Sequence, residues 1–89
     1  MNSWTTERFR EAFAHLPRNV RVRAVRAFRL WRDNSLHPSL RFRRVHQTLP
    51  IYSVRVGMGW RAVGVRREDE MIWFWVGSHA EYDRLLATL

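Results

Sequence analysis

Between Met71 and Val76 six consecutive residues carry no polar side chain, with Arg67-Glu68-Asp69-Glu70 before the run and Gly77-Ser78 close behind it. The nearly uncharged stretch from Met71 to Ala80 is about half of what a membrane span needs. A strand without an alternating polar position has to be covered on both faces. The rest of the chain must therefore supply a layer on each side of a sheet. Its 89 residues suffice for one hydrophobic core and not for two, since a domain of this size hides only about 60 to 65% of its unfolded surface. One domain over residues 1–89 is expected, built from a chain that is 46% apolar and 13% aromatic. Cysteine is absent, which excludes disulfides and thiolate metal sites. Met1-Asn2-Ser3-Trp4 opens no signal-peptide pattern, so the cytoplasm is the expected location and no membrane partner is foreseen.

The covering layers can be read from periodicity. Phe9, Ala12, Phe13 and Leu16 recur at helical spacing from Thr5 to Leu16, and Pro17 stops the pattern. A second helix follows Pro17, with Val20, Ala24, Ala27, Phe28 and Trp31 in one apolar stripe, and Asp33-Asn34 closes it. Beyond His37-Pro38 the period changes to two: Leu40, Phe42 and Val45, then Tyr52, Val54 and Val56, alternate with Arg41, Arg43, Ser53 and Arg55. Gly57-Met58-Gly59 reads as a hairpin turn into a strand from Trp60 to Arg66. A short helix from about Ala80 to Leu89 presents Tyr82, Leu85, Leu86 and Leu89. The order ααββββα predicts an α+β fold: an N-terminal helical hairpin on a four-stranded antiparallel sheet, with a short C-terminal helix.

Alternation also sorts the faces. If Tyr52, Val54 and Val56 face the hairpin, Ser53 and Arg55 face away from it, and Arg61 shares that outer face with Val63 and Val65. The last helix roofs only part of this face, so the arginines there should line a groove. Charge makes the groove worth considering. The chain carries a formal +8 and all sixteen of its basic residues are arginine. Fourteen of them lie in residues 1–66 against Glu7, Glu11 and Asp33, whereas residues 67–89 are net acidic. Such a charge attracts phosphate backbones or an acidic protein. Arg41, Arg43, Arg44 and Arg66 are candidates for RNA binding around the groove, although each also fits an ordinary exposed strand position.

Cleavage of RNA through its 2′-hydroxyl needs a base, a cationic cradle for the phosphorane and an acid for the departing 5′-oxygen. Guanidinium supplies only the cradle, because it does not lose its proton in proteins. Base and acid then have to come from His46, His79, Tyr82 or a carboxylate such as Glu81. His15 and His37 read as structural, and Trp31, Trp73 and Trp75 as core, while Trp60 fits either core or base stacking. Four scattered histidines give no metal-site spacing, and no cofactor or metal is expected.

The chain resembles the RelE/ParE superfamily of toxins from bacterial toxin–antitoxin systems. The resemblance rests on the Phe9 to Trp31 hairpin with Leu16-Pro17, on Pro38-Ser39-Leu40, on Tyr52-Ser53-Val54-Arg55-Val56, on Gly59-Trp60-Arg61 and on Val76-Gly77-Ser78-His79. It implies a microbial-RNase-like sheet, metal-independent endoribonuclease activity on ribosome-bound mRNA in the RelE-like branch, and inhibition by an acidic antitoxin. It also implies site positions: a basic residue at Arg55, an arginine at Arg61, a histidine or arginine at His79 and an aromatic residue at Tyr82. With His79 as acid or base, Tyr82 or His46 is expected to supply the second proton function. Two other readings stand beside it, a binding module that does not cleave and a ParE-like inhibitor of gyrase. Self-association into a homodimer stays open. Family members usually begin with a strand, and Met1-Asn2-Ser3-Trp4 is short for one, so that strand is expected to be missing. Lysines common in such grooves are also absent, with Arg44 and Arg55 at plausible equivalent places.

Overall fold

The computed structural model describes all 89 residues. Its elements are β1 (Asn2–Thr5), α1 (Glu7–Ala14), α2 (Arg18–Asp33), a 3-10 turn at Pro38–Leu40, β2 (Arg43–Arg44), β3 (Ile51–Gly57), β4 (Trp60–Arg67), β5 (Glu70–Ser78) and α3 (His79–Thr88). The helical hairpin and the closing helix form where periodicity places them. Thr6 caps α1 by accepting from the Phe9 N–H at 3.1 Å, and Pro17, with its fixed φ, stands at the N-cap of α2.

The sheet has five strands in the order β1-β5-β4-β3-β2, which corrects the expected four-stranded antiparallel sheet. The additional strand is β1, the one expected to be missing. It runs parallel to β5 with Asn2 beside Glu70 and Thr5 beside Trp73, flanked by bonds from Asn2 N–H to the Asp69 carbonyl (2.9 Å) and from Thr6 N–H to the Trp73 carbonyl (3.0 Å). All four of its side chains are exposed, so no alternation marks it in the sequence. What holds it is the outer edge of β5, whose backbone groups need partners once the strand is buried.

A second correction concerns residues 40–45. Only Arg43–Arg44 form a strand. Leu40 belongs to the 3-10 turn and is buried, and Arg41 caps that turn in the left-handed region (φ 46°, ψ 42°). Period two is broken there because the chain turns to drive Leu40 into the core instead of continuing along the sheet.

Two cores lie on opposite faces of the sheet. Under the hairpin, Phe9, Val20, Ala24 and Trp31 meet Val54, Val56, Ala62, Met71, Trp73 and Val76. The Trp31 and Trp73 rings cross edge to face at 5.4 Å, a geometry worth about 0.5 to 1.5 kcal/mol beyond burial. On the other face Ile51, Val63 and Tyr82 form a smaller cluster, with Val65, Phe74, Trp75 and Leu86 packed around it. A bulge makes the apolar run of β5 serve both faces. Trp75 lies opposite Val63 and Trp73 opposite Gly64, which leaves Phe74 without a partner. Glycine is required at position 64, because a Cβ there would come within 2.7 Å of the Ile72 carbonyl oxygen. No helix is long and apolar enough to cross a membrane.

Candidate phosphate-binding site

The expected pairing of two arginines is present. In the β3–β4 register Arg55 stands directly opposite Arg61. Both alternate with hairpin-facing residues, Val54 and Val56 on one strand and Ala62 on the other, so both side chains lie on the α3 face. Like charges placed opposite each other across a sheet are destabilising by a few tenths of a kcal/mol or more. The Arg61 guanidinium is held below its ordinary pKa, chiefly by burial. The Tyr82 side chain opposes that shift, and the charges of Arg55, Arg43 and Arg41 add to it. Arg61 keeps its proton, as guanidinium does. The site is therefore a concentration of positive charge that an entering anion would relieve.

Tyr82 organises this face. The Arg61 guanidinium lies over its ring at 5.9 Å from the centroid, within cation–π range. On another side the His79 ring stands 5.7 Å away, centroid to centroid. The phenol hydroxyl points inward and donates to Ser53 Oγ at 3.1 Å, in a buried bond. Ser53 is the one buried polar side chain of the protein. Tyr82 is thus a fixed platform between Arg61 and His79, and its hydroxyl is occupied away from solvent.

His79 begins α3. Its backbone N–H donates to the Gly59 carbonyl at 2.8 Å, tying the helix start to the β3–β4 turn. Its ring is half exposed, with Nε2 3.7 Å from Asp83 Oδ1 one helical turn on. Between these residues and β2 runs a groove of about 420 Å³ lined by Arg43, Arg44, Val45, His79, Tyr82, Asp83 and Leu86.

Other candidates lie elsewhere or are occupied. His46 sits in the loop after β2, where its Nδ1 accepts from the Thr48 and Leu49 N–H groups (3.2 and 2.9 Å). Its Nε2 meets the Leu89 carbonyl at 3.1 Å. Leu89 is ten residues from His79, so His46 stands at the opposite end of α3, roughly 15 Å from His79 at 1.5 Å of rise per residue. The Glu81 carboxylate accepts from Ser78 N–H and Oγ in a capping box (3.1 and 2.8 Å), and these bonds hold its pKa below the ordinary glutamate range. It is an ionised cap.

Among the four flanking arginines, Arg43 faces the groove opposite Ser53, and the charge of Arg41 is felt at Arg61. Arg44 instead ties the following loop together, donating from Nε to the His46 and Leu49 carbonyls at 3.1 and 3.2 Å. Arg66 lies over the Tyr52 ring at 5.4 Å, on the hairpin side of the sheet and away from Arg61. Two residues escaped the sequence reading. Asp83 carried a usable signal, since it stands four residues after His79 on a helix. Ser53 carried none, because an outward serine on a strand reads as exposed. No group of three His, Asp or Glu side chains converges to hold a metal ion.

Residues 18–84 match the family described as the ParE-like toxin domain. No curated protein matches the chain by sequence. Among solved structures the fold is similar to the toxin of the RelB-RelE antitoxin-toxin complex from Methanococcus jannaschii, at 22% identity and TM-score 0.71, covering 91% of this chain and 96% of that one. It is similar also to the RelE-RelB complex of Pyrococcus horikoshii OT3 (11% identity, TM-score 0.69, 88% and 93% covered). YafQ from E. coli strain BL21(DE3) is comparable (11%, TM-score 0.67, 91% and 96%). At these identities the likeness concerns the fold.

Proposed function

Since the chain belongs to the ParE-like toxin domain family, within the RelE/ParE superfamily, we propose that it is the toxin of a toxin–antitoxin pair, that it cleaves mRNA on the ribosome without a metal, and that an acidic antitoxin neutralises it. One observation carries this reading: Arg55 and Arg61 stand opposite each other on the sheet face that also holds Tyr82 and His79. In the reaction the RNA 2′-oxygen loses its proton and bonds to phosphorus. The bond from phosphorus to the 5′-oxygen breaks, leaving a 2′,3′-cyclic phosphate and a 5′-hydroxyl. Arg55 and Arg61 hold the non-bridging oxygens as charge builds on them. His79, with the Asp83 carboxylate 3.7 Å from its Nε2, gives its proton to the departing 5′-oxygen.

A single imidazole cannot serve both ends of an in-line displacement, because attack and departure occur on opposite sides of phosphorus. Water then accepts the 2′-proton. Each general acid or base contributes about 10²- to 10⁴-fold, so turnover depends on how well a bound surface such as the ribosome aligns the message. The antitoxin reading draws on the relatives, two of which are complexes of this kind, and on the basic surface that an acidic protein would cover.

A second reading has a specific observation behind it. With the Tyr82 hydroxyl bonded to Ser53, His46 holding its loop and Glu81 capping α3, the site retains one free proton-exchanging group. A chain so equipped can bind RNA without cutting it. The deciding experiment maps cuts in ribosome-bound mRNA after incubation with purified protein. His79→Ala should lower cleavage by about 10²- to 10⁴-fold while RNA binding persists, and Arg61→Ala should lower both. Cuts that persist in both variants refute the assignment, and salt-sensitive binding with no cuts selects the second reading. Inhibited supercoiling by gyrase, with RNA intact, would move the target to that enzyme.

A further inference from the structure

We infer that the free edge of β1 is a self-association surface, on which a second copy of this chain pairs antiparallel about a twofold axis at Trp4 and joins the two sheets into one. The inference does not rest on the RNA reading. β1 ends the sheet on one side and β2 on the other. The β2 edge is guarded as edge strands usually are, being two residues long and made of arginine. β1 has no such protection. Asn2–Thr5 contains no charge, proline or bulge, and all four side chains are exposed.

The backbone of that edge is ready to pair. Asn2 N–H donates to the Asp69 carbonyl and Thr6 N–H to the Trp73 carbonyl, so in a parallel ladder Asn2, Trp4 and Thr6 turn their backbone groups toward β5. Ser3 and Thr5, one residue out of phase, turn theirs outward. Arg10 agrees with that direction, because from α1, outside the sheet, its Nη1 reaches the Thr5 carbonyl at 2.6 Å. The carbonyl keeps a second lone pair. In an antiparallel pair centred on Trp4, Ser3 of each copy lies opposite Thr5 of the other and exchanges both backbone bonds with it.

Side chains supply the reason for this register. Ile51 lies opposite Val65, Val65 opposite Ile72, and Ile72 beside Trp4, an apolar row that crosses four strands on the face carrying α3. At its inner end Ile51 is buried, and at its outer end Trp4 is 61% exposed. Pairing at Trp4 sets the two indoles opposite each other as a cross-strand aromatic pair and continues the row into the second copy. Charge favours the same arrangement. Glu68, Asp69 and Glu70 stand exposed at the Asn2 end of β1, whereas exposed Arg8 and Arg10 outweigh Glu7 at the Thr5 end. An antiparallel copy brings each end against its opposite. An acidic peptide would be repelled at the Asn2 end, and RNA has no use for an apolar row or strand bonds. The net +8 of each copy does not forbid the contact, because β2 lies roughly 19 Å from β1 at about 4.8 Å per strand, more than two Debye lengths of about 8 Å. The groove beside β2 stays open in both copies.

Sedimentation equilibrium of the full chain across the micromolar range should show monomer and dimer in exchange. Trp4→Glu and Ser3→Pro should each weaken association at least about tenfold. The proline removes an outward N–H and leaves the bonds to β5 in place, and far-UV circular dichroism checks that both variants fold. Cysteine, absent from the chain, reads the register with Trp4 kept. Ser3→Cys and Thr5→Cys proteins, mixed and oxidised, should give a disulfide dimer on a non-reducing gel that neither gives alone. Opposite positions lie about 5.5 Å apart, and like positions lie beyond the roughly 7 Å that a disulfide spans. This crosslink decides the matter should either variant unfold. A chain that stays monomeric throughout overturns the proposal, as does association that both variants leave unchanged or a disulfide that forms equally in either protein alone.

Discussion

Replacing Tyr82 by phenylalanine separates packing from proton transfer. The ring stays, and with it the contacts to Arg61 and His79. Only the hydroxyl is lost, and in the wild type it donates to Ser53 Oγ in a buried bond. Ser53 is 1% exposed, so water cannot replace that donor. Stranding a neutral buried hydroxyl should cost about 1 to 2 kcal/mol, or roughly 5 to 15 °C in Tm for a domain of this size. Removing both partners, as in Ser53→Ala/Tyr82→Phe, should recover most of that loss, since two absent polar groups leave nothing unsatisfied. Thermal melts and urea unfolding of the four proteins in the cycle measure the coupling. RNA cleavage in Tyr82→Phe should stay within a fewfold of wild type at a temperature where both are folded. A loss of about 10²-fold or more without a change in stability would refute this reasoning and return the phenol to the chemistry.

Further consequences can be checked alongside. Arg55→Ala and Arg61→Ala should each reduce the slope of log affinity against log salt for single-stranded RNA by about 0.7, whereas Arg66→Ala, on the far face over Tyr52, should leave it unchanged. His46→Ala should cost about 1 kcal/mol and speed hydrogen exchange at the Thr48 and Leu49 amides that His46 caps, with RNA cleavage intact. Ser78→Ala removes the cap of α3 and should cost about 0.5 to 2 kcal/mol near neutral pH by urea unfolding. Glu81 has its folded pKa depressed by Ser78, so its stabilisation is complete above the unfolded value of 4.5 and is lost as pH falls through the lower folded value. The gap between Ser78→Ala and wild type should accordingly narrow in strong acid.

Sequence alone determined the parts of this protein that are set by local period. The stripes from Phe9 to Leu16 and from Val20 to Trp31 place the hairpin, and the alternation through Tyr52 to Val56 puts Ser53 and Arg55 on one face whatever lies beneath it. The direct pairing of Arg55 with Arg61 does not follow from the Gly57-Met58-Gly59 turn alone: Gly57 pairs with Trp60, and a register shift between Arg55 and Gly57 brings Arg55 opposite Arg61. Tertiary structure decided what depends on a partner distant in the chain. β1 has four exposed side chains and exists because β5 has a backbone edge to fill. Leu40 leaves the strand pattern for a place in the core, and a bulge that Gly64 permits turns Trp75 toward α3. The same holds for the chemistry. Residue type made His46, His79, Tyr82 and Glu81 candidates; Tyr82 is occupied by Ser53 and His46 by Leu89, bonds to residues far along the chain that leave no mark in the spacing, whereas the Ser78–Glu81 capping box is local and its spacing was legible.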